Sequence, residues 1–122
     1  MLLTGKSTFH TPPYGAKDYA KPTLGRTFRE AGYVTIAVTK PGNSFPPAHR
    51  EFERLIEIPH LGELTNTRCA DAAIRALNEV SAGKPFCLYF APSMPHDPRT
   101  AETEFRAQYK PEEIVLPKKF HA

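Results

Sequence analysis

The chain has 122 residues, of which 40% are apolar and 24% are charged, and its formal net charge at pH 7 is +3. This length suits one domain with a modest core, and the composition excludes an intrinsically disordered chain. The lysines and arginines are scattered among acids without interleaved aromatic residues, which argues against nucleic-acid binding. No apolar run approaches the roughly 20 residues that span a bilayer, so the sequence predicts no membrane span.

The first predicted elements are a short helix and a strand. Residues 7–22 form a polar, proline-rich loop, after which Thr23 caps the helix "LGRTFREA" and Gly32 ends it. The following run, "YVTIAV" (33–38), is short and rich in β-branched residues, which is typical of a buried strand.

The clearest helix is predicted over residues 67–81. Its apolar residues recur at helical spacing, Thr65 or Asn66 can cap its start, and Gly83 supplies a stop. The segment 41–64 before it is ambiguous, although "RLIEI" fits a short strand.

A second apolar strand, "PFCLYFA" (85–91), follows that helix. Two such strands, each preceded by an amphipathic helix, predict a parallel α/β sheet. The chain then continues through the loop "SMPHDPRT", a short helix "AETEFRAQY" and an extended tail, "KPEEIVLPKKF". Cys69 and Cys87 lie on apolar faces of these elements, where cysteine acts as a small hydrophobic residue.

Three motifs in this order resemble the sulfatases of the alkaline-phosphatase-like superfamily. "LLTGK" is similar to the end of the sulfatase signature, which begins Cys-x-Pro-Ser-Arg, and "TLGRTFREAGYVTIAVTK" is similar to the second signature. The third, "KPFCLYFAPSMPHDPRTAETEFRAQYKPEEIVLPKKF", resembles a strand, a Pro-His loop and the segment after it.

The resemblance implies that residues 1–122 are part of a sulfatase catalytic domain. The expected fold is α/β, part of an alkaline-phosphatase-like parallel-sheet sandwich with flanking helices, incomplete at both ends. The family is metal-dependent, so the resemblance also implies calcium and a formylglycine, and it places the modified cysteine and the metal ligands outside this segment. No metal ligand is therefore expected within it. Many family members are exported, which implies a periplasmic or secreted location.

Lys40 and His96 are the residues that match the family's sulfate-binding positions. Lys40 stands at the end of the second signature, and His96 stands in the Pro-His loop between Pro95 and Pro98. Both follow strands at the carboxyl edge of the predicted sheet, where α/β proteins bind ligands. The resemblance implies that both are catalytic and substrate-binding, and that the substrate is a sulfate ester. Asp97 and Arg99 are expected to stabilise the loop.

The sequence departs from the family after Lys40. Where the family reads Gly-Lys-Trp-His, this chain reads Thr39-Lys40-Pro41-Gly42, and neither His49 nor His60 is assigned to the missing histidine. Three hypotheses follow. The chain is a piece of a sulfuric ester hydrolase; or it is an inactive homologue or fragment that binds at most an anion or a partner; or it belongs to a related phosphodiesterase or phosphotransferase.

Overall fold

The computed structural model describes residues 2–11, 16–42, 45–59, 64–96 and 101–119. The main elements are three strands, β1 (Val34–Thr39), β2 (Arg54–Glu57) and β3 (Phe86–Ala91), and four helices, α1 (Leu24–Glu30), α2 (Pro46–His49), α3 (Thr65–Asn78) and α4 (Thr103–Arg106). Short 3-10 turns occur at Thr8–His10 and Pro111–Glu113.

The three strands form one parallel sheet in the order β2-β1-β3. The predicted α/β class and the parallel pairing of the two apolar strands are confirmed. "RLIEI" also forms a strand, on the other side of β1. Because β1 lies between two neighbours, it carries the most deeply buried run, with Thr35 to Thr39 all buried.

Helices cover both faces of the sheet. On one face, α3 packs its small residues Cys69, Ala72, Ala73 and Ala76 against the sheet residues Ile36 and Val38. On the other face, Leu24 of α1 and Ala48 of α2 join Phe52 against Ala37. Small side chains on this face of α3 let the helix lie close to the sheet, which fits close packing of a helix onto a parallel sheet.

Two contacts hold α1 on its face of the sheet. Arg26 donates from Nε (2.9 Å) and Nη2 (2.7 Å) to the two carboxylate oxygens of Glu51, a two-point ion pair that holds the pKa of Glu51 below its usual range. Gly25 lies so close to the next segment that a Cβ built there would come within 2.8 Å of the Phe52 ring. A glycine at this position is therefore a packing requirement.

The short-helix prediction after Thr23 is confirmed. Thr23 Oγ1 accepts the backbone N–H of Arg26 as the N-cap, and Gly32 follows the helix with a φ of 87°. The boundaries of α3 were predicted less well. It starts at Thr65 after Leu64, with no side-chain cap from Thr65 or Asn66, and it ends at Asn78, before the turn that contains Gly83.

The C-terminal part also differs in extent from its prediction. The helix in "AETEFRAQY" is limited to the single turn of α4. Beyond the 3-10 turn, residues 114–119 make no helix or strand and are exposed, with Val115 93% exposed. Within the described chain, no helix combines the length and apolarity that crossing a membrane requires.

Cys69 and Cys87 are both free thiols. Cys69 of α3 is 1% exposed and lies in the core, Cys87 is half-buried in β3, and burial raises the pKa of both thiols. A raised pKa disfavours the reactive thiolate, so both cysteines fit the predicted role of small apolar side chains.

Candidate functional site

The site lies at the carboxyl edge of the sheet, and the strand register explains why. Thr39, the last residue of β1, pairs with Ala91 at the end of β3 and with Glu57 at the end of β2. Since the strands end level with one another, the residues that follow them emerge side by side. Lys40 follows β1, and the loop that contains His96 follows β3.

Lys40 and His96 line one cleft of about 430 Å³. Its other walls are Gly42 after β1, Ala91 at the end of β3, and the loop residues Pro92, Ser93, Met94 and Pro95. Lys40 is half-buried and His96 is exposed. The two residues singled out by the sequence thus share one solvent-accessible cleft, on the edge where both were expected.

The histidine loop is tied to the first turn of α3 on both sides of His96. The backbone N–H of Met94 donates to Asn66 Oδ1 (3.3 Å), and Thr67 donates to Glu102 Oε1 from both its backbone N–H (3.3 Å) and its hydroxyl (2.8 Å). Within the loop, His96 N–H donates to the carbonyl of Ser93 (2.9 Å), and the Met94–Pro95 peptide bond is cis. Asp97 and Arg99 lie outside the described residues.

Glu102 replaces the side-chain cap that was predicted for α3. The backbone N–H groups of a helix's first turn lack partners inside the helix, and the Glu102 carboxylate accepts one of them. Hydrogen bonds from its own backbone N–H and from the Thr67 hydroxyl hold the pKa of Glu102 below its usual range. The residue comes from a distant part of the chain, so no local spacing in the sequence indicated it.

Ser93 is a residue of the cleft that the sequence did not single out. Its Oγ atom is buried, and no residue in the described ranges gives it a hydrogen-bond partner. A buried hydroxyl without a partner is costly and calls for an explanation. Ser93 precedes His96 in the loop, so a ligand in the cleft would be close to it. Serine is common in proline-rich loops, so the sequence alone did not indicate a role for Ser93.

A second cavity of about 260 Å³ adjoins the cleft at Gly42. It is lined by His49, Arg50 and Glu57, and its remaining walls are Pro41, Pro46 and Leu55. His49 is only 6% exposed, its ring lies 5.8 Å from the Tyr89 ring, and burial lowers the pKa of His49 against the opposing effect of Glu57. His49 therefore lies buried near the sheet edge, whereas His60 lies outside the described residues.

The described residues do not supply a calcium site. Calcium takes six to eight oxygen ligands, largely carboxylates, and nowhere in the described ranges do three His, Cys, Asp or Glu side chains come together as metal ligands. At the sheet edge the available pair is Glu57 with His49, one oxygen and one nitrogen donor.

Comparison with known proteins gives no match: no family model, no curated protein and no solved structure is similar to this chain. The resemblance to sulfatases therefore depends on its three sequence motifs.

Proposed function

We propose that this chain provides the sulfate-binding part of a sulfuric ester hydrolase, with Lys40 and His96 as the residues that hold the sulfate group. The observation that carries the proposal is that both side chains line one cleft at the carboxyl edge of adjacent parallel strands. Ligands of open α/β sheets bind at this edge.

The chemistry of the two side chains suits a sulfate ester. Negative charge spreads over the sulfate oxygens and onto the leaving oxygen as the ester bond breaks, and fixed cations and donors lower that barrier. Lysine supplies a compact positive charge with three donors, and histidine supplies an N–H near neutral pH. In the proposed site, Lys40 compensates the charge of the sulfate oxygens, and His96 donates to the leaving oxygen.

The surroundings of Lys40 leave it available for an anion. Across the described residues, no carboxylate forms an ion pair with Lys40, whereas Arg26, Arg29, Arg54 and Lys110 are paired with acids. The carboxylate nearest along the sheet edge, Glu57, lines the neighbouring cavity instead.

A second candidate function is anion binding without turnover. Two observations favour it: the sequence after Lys40 departs from the family pattern, and three metal-ligating side chains do not meet within the described ranges. In this case the cleft binds sulfate, and the chain does not catalyse ester hydrolysis. Both candidates require the same Lys40–His96 cleft.

Calorimetric titration of the 122-residue chain with sodium sulfate tests the shared claim. A hydrogen bond to a charged group contributes about 1.5–3 kcal/mol, so Lys40→Ala and His96→Ala should each weaken sulfate binding about tenfold or more. Lys84→Ala and His10→Ala are matched controls, since both residues are exposed and neither lines the cleft. Equal affinities in all four variants would refute the site.

Comparing two ligands of equal charge tests the alternative that the chain belongs to a phosphodiesterase or phosphotransferase. An aryl sulfate monoester and a phosphate diester both carry one negative charge, so a difference in affinity reports the fit of the cleft and not the net charge. The sulfatase proposal predicts that the sulfate ester binds at least as tightly as the diester. Clear preference for the phosphate diester would favour the phosphodiesterase interpretation.

A further inference from the structure

An apolar pocket of about 440 Å³ adjoins the Lys40–His96 cleft. The two share the walls Pro92 and Met94, so the pocket and the cleft are neighbours at these two residues. The pocket lies between α3, the end of β3 and α4, and its other apolar walls include Ala70, Phe90 and Phe105.

The walls of this pocket determine what it can hold. Phe90 and Phe105 are 44% and 49% exposed, so each presents part of an aromatic ring to solvent. Aromatic rings pack well against other rings in offset or edge-on arrangements, and the thioether of Met94 adds a polarizable contact. These walls favour a flat apolar group.

Two acceptor atoms at the pocket rim are already engaged in hydrogen bonds. The Glu102 carboxylate accepts two hydrogen bonds from Thr67, and Asn66 Oδ1 accepts the N–H of Met94. A ligand with many hydroxyl groups would find few remaining partners there, and polar groups buried without partners are penalised. The polar cavity that adjoins the cleft at Gly42, around His49 and Glu57, is the alternative place for such a ligand.

We propose that the pocket formed by Ala70, Phe90, Met94 and Phe105 binds the apolar, aromatic organic group of the anion whose charged end lies at Lys40 and His96. This assignment rests on the proposed function, because it takes the sulfate position as given. The pocket makes the chain selective for aromatic over hydroxylated sulfate esters. It also gives the exposed rings of Phe90 and Phe105 a role in recognition.

Three probes separate the two parts of the site: inorganic sulfate, 2-naphthyl sulfate and 2-naphthol. Burial of one aromatic ring system at ordinary transfer energies predicts that 2-naphthyl sulfate binds about tenfold more tightly than inorganic sulfate. Phe105→Ala and Ala70→Leu, which remove a wall and fill the pocket, should reduce this advantage to about threefold or less. Neither variant should change the affinity for inorganic sulfate.

Phe9→Ala is the matched control, since Phe9 is 95% exposed and does not line the pocket. Circular dichroism and sedimentation of each variant show whether it is folded and monomeric.

If the wild-type chain binds sulfate and naphthyl sulfate equally, or prefers a hexose sulfate, the proposal of an apolar subsite is wrong and the Lys40–His96 proposal stands. If neither anion binds, the Lys40–His96 proposal itself fails. If Phe105→Ala abolishes self-association of the chain and leaves the affinity for naphthyl sulfate unchanged, the pocket is a contact between copies and the inference is overturned.

Discussion

Glu102 and Thr67 are joined by two hydrogen bonds, in which the Thr67 backbone N–H and hydroxyl both donate to the same carboxylate oxygen. This contact holds the start of α4 against the start of α3. On the other side of His96, the Met94–Asn66 hydrogen bond holds the loop after β3 against the start of α3. The histidine loop is thus held from both sides by one turn of helix, which fits the expectation that functional groups sit on rigid supports.

Replacing Glu102 by glutamine should lower the thermal stability of the chain by a few degrees at pH 7. The charged carboxylate is the better acceptor for the two donors of Thr67, and its pKa is held below the unfolded value. This contribution is therefore present above the unfolded pKa of about 4.3 and is lost as the pH falls through the folded pKa. Thermal unfolding of the wild type and of Glu102→Gln between pH 7 and pH 3 measures the contribution of the Glu102 carboxylate.

The difference between wild type and Glu102→Gln should shrink as the pH falls to 3. Glu104→Gln is the control, because Glu104 is exposed in the same short helix. A pH-independent difference, or an equal loss in Glu104→Gln, would contradict the assigned role of Glu102 as the acceptor at the start of α3.

Gly25→Ala should destabilise the protein by about 1–3 kcal/mol, the usual cost of overpacking. Alanine normally stabilises a helix relative to glycine by up to about 1 kcal/mol, but a Cβ here meets the Phe52 ring at 2.8 Å and backbone atoms at 3.0 and 3.1 Å. Urea unfolding measures the change. Thr27→Ala on the exposed side of α1 should change the unfolding free energy by less than about 0.5 kcal/mol. A stabilised Gly25→Ala variant would show that α1 does not approach Phe52 so closely.

Because of His49, the stability of the protein should decrease as the pH falls below neutral. Burial lowers the pKa of His49 in the folded chain, and the charge of Glu57 opposes this effect. As the pH falls, His49 is therefore protonated in the unfolded state before it is protonated in the folded state. Its stabilising contribution is complete above the unfolded pKa of about 6.5 and is lost as the pH falls from there toward the folded pKa. His49→Phe keeps a ring against Tyr89 and removes the titration. Unfolding midpoints between pH 7.5 and 5.5 should fall less in His49→Phe than in wild type, while His10→Ala should follow the wild type.

The 122-residue chain should show no turnover of an aryl sulfate above the buffer blank. The sequence does not contain the motif Cys-x-Pro-Ser-Arg, which would supply the nucleophile of the proposed hydrolase, and no three His, Cys, Asp or Glu side chains of the described residues come together as metal ligands. Release of nitrophenol from 4-nitrophenyl sulfate, with and without added calcium, measures the activity. Metal-dependent turnover that is lost in Lys40→Ala would contradict this prediction.

Most of the sheet could be predicted from the sequence because its strands are short, continuous apolar runs. β1 and β3 were expected at residues 33–38 and 85–91 and lie at Val34–Thr39 and Phe86–Ala91. Local signals also gave the cap at Thr23, since the capping side chain and the helix are adjacent. The shared edge of Lys40 and His96 follows from the same reasoning, because parallel strands end together.

Contacts between distant segments could not be predicted in this way. Glu102 acts at the start of α3, and α2, with the buried His49, was hidden in the ambiguous segment 41–64. Hydrophobic periodicity predicts local structure only. It cannot predict that a carboxylate from another part of the chain accepts a hydrogen bond at the start of a helix. The burial of Ser93 Oγ likewise depends on how the loop packs.

Titration of the histidine ring signals with sodium sulfate, followed by nuclear magnetic resonance, tests whether Lys40 and His96 form one anion site. The His96 ring signals should shift and saturate with sulfate, while those of the exposed His10 should change little. In Lys40→Ala, the His96 shift should saturate only at about tenfold higher sulfate, because both residues hold the same anion. A His96 signal that does not respond to sulfate, or that responds identically in Lys40→Ala and wild type, would show that the two residues do not form one anion site.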